Sequence, residues 1–213
     1  MEERVRAASR LIVPENNELT FDPAAGAPSY FDFDKLFGRG GELRLEIGCG
    51  KGQFVCQAAA REPDVNFLAV EKLSNVIVSG CELAEAMGLD NIRFVRTGAE
   101  YLTRYIPAGL VNRIYLNFSC PYPKARYAGH RLTAPAFLDI YKKIMADGAE
   151  IHQKTDNARF FEYSVEQLSA AGFRIKNVSL DLHQSGFEGN IITEYEARFA
   201  SQGKPIYRLE AVK

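Results

Sequence analysis

The sequence has little net charge, no long apolar run and few side chains that ligate metals. Its 213 residues include 26 lysines and arginines against 27 aspartates and glutamates, for a formal net charge of −1. A nucleic-acid partner would therefore have to contact a local basic patch, because the chain has no global positive field. No apolar run approaches the roughly 20 residues of a membrane-spanning helix. The N-terminus lacks the apolar segment of a signal peptide.

Cysteine and histidine are scarce and scattered. No two cysteines form a C-x-x-C pair, which argues against structural zinc and against a disulfide framework and predicts a reducing, cytoplasmic setting. The histidines are far apart in the chain, so we expect no metal site. These residues are Cys49, Cys56, Cys81, Cys120, His130, His152 and His183.

The remaining composition is that of a globular protein, with 46% hydrophobic and 25% charged residues. A single domain of this length buries roughly 70% of its unfolded surface. Residues 1–42 show weak periodicity and predict an extended N-terminal arm, followed by one domain over 43–213. In the arm, Arg4, Arg6 and Arg10 could contact a phosphate backbone or simply be solvated.

A glycine-rich loop organises the domain. Alternating apolar residues over 43–47 precede Gly48, Gly50 and Gly52, and a helical pattern follows. An apolar strand, a glycine turn and a helix are the start of a β-α-β nucleotide-binding unit. The dinucleotide fingerprint would place its third glycine at position 53, where this chain has Gln53.

Two acidic residues around this loop indicate the ligand. Glu46 lies two residues before the first glycine, where it would repel a pyrophosphate and attract a cation. S-adenosylmethionine carries a sulfonium and an ammonium and has no phosphate. Glu71 ends the next apolar run, where an acid accepts hydrogen bonds from ribose hydroxyls. We therefore expect S-adenosylmethionine rather than a nicotinamide cofactor; the alternative is that both acids are surface charges at strand ends.

Strand and helix patterns alternate along the rest of the chain. They predict an α/β fold with a mostly parallel, doubly wound sheet and a site at the carboxyl ends of its strands. Ser74 and Asp156 are candidate helix caps, and Thr193 with Glu196 is a candidate capping box. The predicted strands cover 65–70, 92–95, 111–118, 149–154, 173–182 and 205–212, and the predicted helices 53–61, 75–87, 135–145 and 158–171.

A basic loop follows the fourth predicted strand. Prolines stiffen it, lysine and arginine make it basic, and two tyrosines are available to stack on a base. This mixture beside the proposed cofactor indicates a nucleic-acid contact, although a proline-rich surface loop with solvated charges is the alternative. The residues are Pro121, Tyr122, Pro123, Lys124, Arg126, Tyr127 and Arg131.

Five motifs together resemble the bacterial tRNA (guanine-N7-)-methyltransferase family over about residues 36–210. They are Leu-Glu-Ile-Gly-Cys-Gly-Lys-Gly, Tyr-Leu-Asn-Phe-Ser-x-Pro-x-Pro-Lys-x-Arg, Arg-Leu-Thr, Lys-Thr-Asp-Asn and Thr-Glu-Tyr-Glu, in the family's order. The resemblance implies a class I S-adenosylmethionine-dependent methyltransferase fold, which is Rossmann-like. It also implies methyl transfer to N7 of a guanine in the tRNA variable loop. The sequence leaves both a monomer and a homodimer open.

The resemblance also assigns site residues by position. Cys120 stands at the position of the family's catalytic Asp. The positions that bind cofactor are Glu46, Gly48, Gly50, Glu71, Gly98 and Cys120. The positions that bind substrate are Lys124, Asp156, Thr193, Glu194, Tyr195 and Glu196.

This chain departs from the family where two carboxylates are expected. Cys120 replaces the motif Asp, with Tyr122 in place of Trp, and Gly98 replaces an Asp that helps to hold the cofactor. Guanine N7 has a free lone pair and no proton, so its methylation needs no general base. We therefore predict that the guanine is held more weakly but that the chemical step is not lost. The loss of one charge-assisted hydrogen bond costs about 1.5–3 kcal/mol.

Three alternatives concern Cys120. It could be a covalent nucleophile, as in pyrimidine C5 methylation, with Lys124 and Arg126 lowering the pKa of its thiol. The protein could instead bind tRNA without turnover. Cys120 could also be a small buried residue with no chemical role.

Overall fold

The structure is a computed structural model that describes residues 4, 10–13 and 29–213. One sheet contains the strands β1 (Leu43–Ile47), β2 (Asn66–Glu71), β3 (Ile92–Arg96), β4 (Val111–Asn117), β5 (Met145–Thr155), β6 (Arg174–Ser179) and β7 (Tyr207–Val212). The α-helices are α1 (Phe33–Phe37), α2 (Gln53–Arg61), α3 (Ser74–Ala86), α4 (Leu102–Tyr105), α5 (Pro135–Ile144), α6 (Ala158–Ala170) and α7 (Glu194–Ala200). Among these described helices, none is long and apolar enough to cross a membrane.

The strand order is β3-β2-β1-β4-β5-β7-β6. Strands β1 to β5 pair in parallel, whereas β7 lies antiparallel between β5 and β6. The prediction of a mostly parallel, doubly wound sheet is confirmed. The order reverses between β1 and β4, and ligands of such sheets bind in the crevice at this switch point, outside the carboxyl ends of the strands.

Apolar side chains cover both faces of the sheet. Leu45 and Leu68 pack on one face in a cluster with α5 and α6, whereas Phe67 and Ala69 pack on the other face with α2 and α3. Successive strand residues point to opposite faces, so a buried strand needs apolar residues at consecutive positions. The central strands are therefore fixed between two helical layers.

The region predicted as an extended arm contains a short helix. In α1, Asp32 Oδ1 accepts a hydrogen bond from Lys35 N at 3.0 Å, and Gly38 ends the helix with a φ of 69°. The prediction of extended chain was wrong here because five residues form little more than one turn, too short for a helical period to show. The boundary between arm and domain at residue 42 stays a prediction.

The described residues near the N-terminus lie against β3 and α3. Phe94 N donates to Leu11 O at 2.7 Å, next to the edge of the sheet. Arg4 pairs with Glu82 and Arg10 with Glu85, so both guanidinium groups have carboxylate partners within the protein. The third arginine proposed for phosphate contact, at position 6, lies outside the described residues.

Two of the three predicted helix caps need correction. Ser74 is the first residue of α3 and its side chain caps nothing, while Asn157, not Asp156, accepts from Phe160 N at 2.9 Å to cap α6. Thr193 Oγ1 accepts from Glu196 N at 3.1 Å, so this half of the capping box is confirmed. The Glu196 carboxylate has other partners, described below.

Candidate active site

A cavity of about 560 Å³ lies at the carboxyl ends of β1 to β4, at the switch point of the sheet. Nine of the twelve predicted site residues line it: Glu46, Gly48, Gly50, Glu71, Gly98, Cys120, Thr193, Glu194 and Tyr195. They come from five separate segments, at the ends of β1, β2, β3 and β4 and at the start of α7. The fold thus brings together residues up to about 150 positions apart around one space of the size usual for small-molecule sites.

The glycine loop is built for close packing. Gly50 has a φ of 55°, and its amide donates to Glu71 Oε2 at 3.1 Å. Gly52 has a φ of 75°, and a Cβ there would lie only 2.9 Å from the Cα of Gly80 in α3. Glycine is required at both positions, because L residues rarely adopt such φ values and a side chain at position 52 would push α3 away.

Glu71 is held rigidly at the end of β2. Its Oε1 accepts from the backbone amides of Lys72 at 2.8 Å and Leu73 at 3.0 Å, while Oε2 accepts from Gly50 N. The carboxylate therefore has one orientation beside the cavity. Oε2 accepts only one of these hydrogen bonds, so its second lone pair can still accept from a ligand hydroxyl.

Glu46 is a buried acid with an incomplete set of partners. Its side chain lines the cavity, and Asn117 Nδ2 donates to Oε1 at 2.9 Å. The other oxygen, Oε2, is buried and makes no hydrogen bond to the described residues. Burial raises the pKa of Glu46 to about 8, although the Asn117 hydrogen bond and the charge of Lys154 oppose the increase. A cationic donor in the cavity would stabilise its ionised form.

Lys154 is the centre of a buried network beside this acid. Its Nζ donates to Glu196 Oε2 at 2.7 Å, to Ile191 O at 2.8 Å and to Asn190 Oδ1 at 3.1 Å. Glu196 is fully buried. The network fixes the segment before α7 against the end of β5, and the predicted substrate residue Glu196 lies in it rather than on the cavity wall.

The loop after β4 is strained and held in place. Phe118 and Tyr122 have φ values of 51° and 40°, which are unusual for bulky residues. The guanidinium of Arg131 donates to the carbonyls of Pro121 and Tyr122, both at 3.0 Å. Arg131 is therefore a clamp on this loop, and the prediction that it adds to a free basic surface needs correction.

Cys120 sits on this clamped loop. It is a free, exposed thiol that lines the cavity, which does not fit the alternative of a small buried residue. The neighbouring Ser119 hydroxyl is buried and has no hydrogen-bond partner among the described residues. The loop thus presents a thiol and an unpartnered hydroxyl at the cavity.

Gln53 connects the glycine loop to α7. Its Oε1 accepts from the backbone amide of Glu194 at 2.8 Å. The Glu194 carboxylate also lies 3.9 Å from Lys51 Nζ. The glutamine that breaks the dinucleotide fingerprint therefore closes the cavity by joining two of its walls, which a glycine could not do.

Lys124 and Asp156, also predicted as substrate-binding, lie outside the cavity lining. Lys124 is exposed just before a 3₁₀ turn at Ala125–His130. The Asp156 carboxylate lies 3.2 Å from Lys204 Nζ. Both could contact only a ligand larger than the cavity.

A second cluster on the sheet joins Glu150, His152 and Glu210. Arg113, Lys176 and Arg208 donate to or pair with its carboxylates. Burial works to raise the pKa of Glu150, but hydrogen bonds from Lys176 and His152 outweigh it and hold the pKa at about 2. The acids already have cationic partners, so the arrangement is that of an ion-pair network.

The sequence reasoning did not assign three residues of this site. Asn117 and Lys154 were visible within motifs, but their roles depend on contacts to Glu46 and Glu196, 71 and 42 residues away. Glu100 lines the cavity beside Gly98. Its position two residues after Gly98, where the usual acid is missing, was a signal that could have revealed it.

Known proteins resemble this chain in sequence and in fold. The family model described as "Putative methyltransferase" matches residues 41–209. A tRNA (guanine-N(7)-)-methyltransferase of Geobacillus kaustophilus (strain HTA426) is 47% identical over 179 residues, which cover 84% of this chain and 82% of that protein. The enzyme of the same name from Streptococcus equi subsp. equi (strain 4047) is 44% identical over 177 residues, covering 83% and 84% of the two chains.

Solved structures show the same fold at low sequence identity. The 16S rRNA methyltransferase KamB has a TM-score of 0.62 and 17% identity, with 86% of this chain and 94% of that chain covered. A 16S rRNA (adenine(1408)-N(1))-methyltransferase mutant from Catenulisporales acidiphilia has a TM-score of 0.60 and 14% identity, with 84% and 89% covered. From the family model and the sequence relatives, the chain belongs to the bacterial tRNA (guanine-N(7)-)-methyltransferase family.

Proposed function

We propose that this protein transfers a methyl group from S-adenosylmethionine to N7 of a guanine in the tRNA variable loop. The observation that carries the proposal is the cavity at the strand ends, where acidic residues fit a cationic nucleoside and the Cys120 loop borders the same space. The curated relatives are named for this reaction.

The residues present fit the cofactor. The buried Glu46 Oε2 without a partner suits an ammonium donor, and the fixed carboxylate of Glu71 suits the ribose hydroxyls. A phosphate would meet both acids unfavourably. S-adenosylmethionine held there would supply the methyl carbon, to which the N7 lone pair would bond as the carbon–sulfur bond broke and the positive charge passed from sulfur to the guanine ring.

The protein's contribution to this reaction is orientation. N7 carries no proton, so no side chain has to remove one. The clamped loop 118–124 and α7 border the cavity from two sides, and Tyr122 and Tyr195 offer aromatic surfaces to a base. Holding N7 in line with the methyl group lowers the entropic part of the barrier.

Exposed basic residues near the cavity would bind the tRNA backbone. Lys124 and Arg126 are exposed, and the Arg126 guanidinium lies 4.8 Å from the ring centre of Tyr127. Because the chain has a net charge of −1, this local patch is the feature that attracts a polyanion. Lys124 and Asp156, outside the cavity, would contact nucleotides around the target guanine.

The test is methyl transfer from labelled S-adenosylmethionine to unmodified tRNA, with the product nucleoside identified after digestion. The proposal predicts N7-methylguanosine. A C5-methylated pyrimidine would replace the proposal with the covalent mechanism through Cys120. Binding of tRNA and cofactor without any methylated product would mean that this chain is a binding protein.

A further inference from the structure

The carboxylate of Glu100 occupies the space that a side chain at position 98 would fill. A Cβ built on Gly98 would lie 2.7 Å from Glu100 Oε1 and closer still to Oε2. Glu100 belongs to the 3₁₀ turn Ala99–Tyr101, which begins directly after Gly98, and both residues line the cavity. An acid is therefore present at this part of the cavity although position 98 has no side chain.

Backbone strain does not explain the glycine. Gly98 has a φ of −85° and a ψ of 156°, an extended conformation open to any residue. The space around it is limited by the Glu100 side chain. Gly98 and Glu100 are thus a matched pair, in which the missing side chain at one position makes room for the carboxylate of the other.

We infer that Glu100 binds the adenine of the cofactor by accepting a hydrogen bond from its exocyclic amino group. This inference rests on the proposed use of S-adenosylmethionine. The sheet order β3-β2-β1-β4 places Glu100 after β3, Glu71 and Glu46 at the ends of β2 and β1, and Cys120 after β4, along one edge of the sheet. From β1 to β3, the order Glu46, Glu71, Glu100 therefore matches the order in which the amino-acid part, the ribose and the adenine of the cofactor are joined.

The covalent order of the cofactor assigns each acid a group. Its ammonium fits the buried Glu46 at the end of β1, and its ribose fits Glu71 at the end of β2. Adenine is attached to the other side of the ribose, so it extends toward the end of β3, where Glu100 lies. The amino group of adenine is a donor and a carboxylate only accepts, so the two are complementary.

The test is equilibrium binding by calorimetry, which does not depend on turnover. S-adenosylhomocysteine is titrated into the wild-type protein, Glu100→Gln and the control Glu162→Gln, which removes an exposed acid of α6 outside the cavity lining. S-inosylhomocysteine, in which a carbonyl replaces the adenine amino group, is the second ligand. The amide oxygen of Glu100→Gln can still accept a hydrogen bond but carries no charge, so this variant should weaken the binding of S-adenosylhomocysteine by about five- to tenfold, the difference between a charged and a neutral hydrogen bond.

The second ligand separates recognition of adenine from a structural role. The amide of Glu100→Gln can donate to the inosine carbonyl, so this variant should bind S-inosylhomocysteine at least as tightly as the wild type does. Glu100→Ala removes the acceptor altogether and should weaken S-adenosylhomocysteine binding by about ten- to a hundredfold. Adding Gly98→Asp to Glu100→Ala should restore much of this affinity, because it returns a carboxylate to the same space.

Two results would overturn the inference alone: full affinity of Glu100→Gln for S-adenosylhomocysteine, or an equal loss for both ligands. A wild-type protein that binds no S-adenosylhomocysteine would overturn the proposed function and this inference with it.

Discussion

Lys154 Nζ lies 2.7 Å from Glu196 Oε2, and this buried ion pair joins the end of β5 to the first turn of α7. Burial lowers the pKa of Lys154, and the charge of Glu196 opposes that decrease. The pair holds the segment 193–196 at the cavity while the charge of Lys154 acts on Glu46. The position of segment 193–196 at the rim of the cavity and the ionisation of Glu46 inside it therefore both depend on Lys154.

Replacing Lys154 with Met should destabilise the fold. The change leaves the fully buried Glu196 with His183, whose Nε2 lies 3.3 Å from Oε1, in place of its lysine. Breaking a buried pair by removing one partner costs about 3–5 kcal/mol. Urea unfolding of the wild type and of Lys154→Met gives the difference in the free energy of unfolding.

The matched control is Lys204→Met, which removes an exposed lysine 3.2 Å from Asp156. An exposed pair contributes about 0–1 kcal/mol. Equal stabilities of the two variants would contradict the role assigned to Lys154. Combining Lys154→Met with Glu196→Met should recover part of the lost stability, because both charges of this buried pair are then removed together.

Cofactor binding should release a proton from Glu46. The pKa of Glu46 is about 8 in the free protein, so its carboxyl is mostly protonated at pH 7. A cationic ligand favours the ionised form and lowers this pKa, so close to one proton leaves on binding at pH 7. The release should fade as the pH rises above 8, where Glu46 is already ionised.

Calorimetry in buffers of different ionisation enthalpy counts the released protons. S-adenosylmethionine is titrated without tRNA into the wild type and into Glu46→Gln, which cannot ionise. A proton release that is the same in both proteins would assign it to another group and remove Glu46 from the account.

Changing Cys120 to Asp should raise methyl transfer, and changing it to Ser should alter it little. A carboxylate accepts from the donors on the guanine Watson–Crick edge better than a thiol does. One such hydrogen bond corresponds to about a ten- to hundredfold gain in kcat/KM. Steady-state kinetics with unmodified tRNA measures both variants. Loss of all activity in Cys120→Ser would instead indicate a covalent thiol.

Arg126 and Arg131 should affect tRNA binding in different ways. Arg126 is exposed and free to meet a phosphate, whereas the guanidinium of Arg131 is used by the carbonyls of Pro121 and Tyr122. Arg126→Met should therefore reduce the slope of log affinity against log salt by about 0.7–1, as one phosphate contact is lost. Arg131→Met should leave the slope unchanged while lowering kcat. A reduced slope in Arg131→Met would contradict its role as a clamp.

Most of the correct predictions of the site rest on the spacing of residues that are close together in the sequence. Glu46 and Glu71 lie at the ends of strands with a clear apolar pattern, and the glycine loop follows the first of these strands. Their meeting at one edge of the sheet therefore follows from the fold class. The antiparallel direction of β7 is not encoded in its alternation, because a strand has the same period in either direction.

The sequence did not predict the contacts between segments that are far apart in the chain. Asn117 contacts Glu46 across 71 positions, and Gln53 contacts Glu194 across 141. From its side chain alone, Arg131 is a candidate phosphate-binding residue. Only its hydrogen bonds to two backbone carbonyls show that it holds the loop in place. A charged side chain offers the same donors to a backbone carbonyl as to a phosphate, so its partner is decided by the fold.

The most direct test of the central claim uses a tRNA in which the variable-loop guanine is replaced by 7-deazaguanine. This base keeps the Watson–Crick edge but has a C–H group in place of N7, so it can be held but cannot accept the methyl group. We predict that label from S-adenosylmethionine enters the unmodified tRNA and not the substituted one, although both bind. Equal labelling of the two tRNAs would contradict the claim that guanine N7 is the nucleophile.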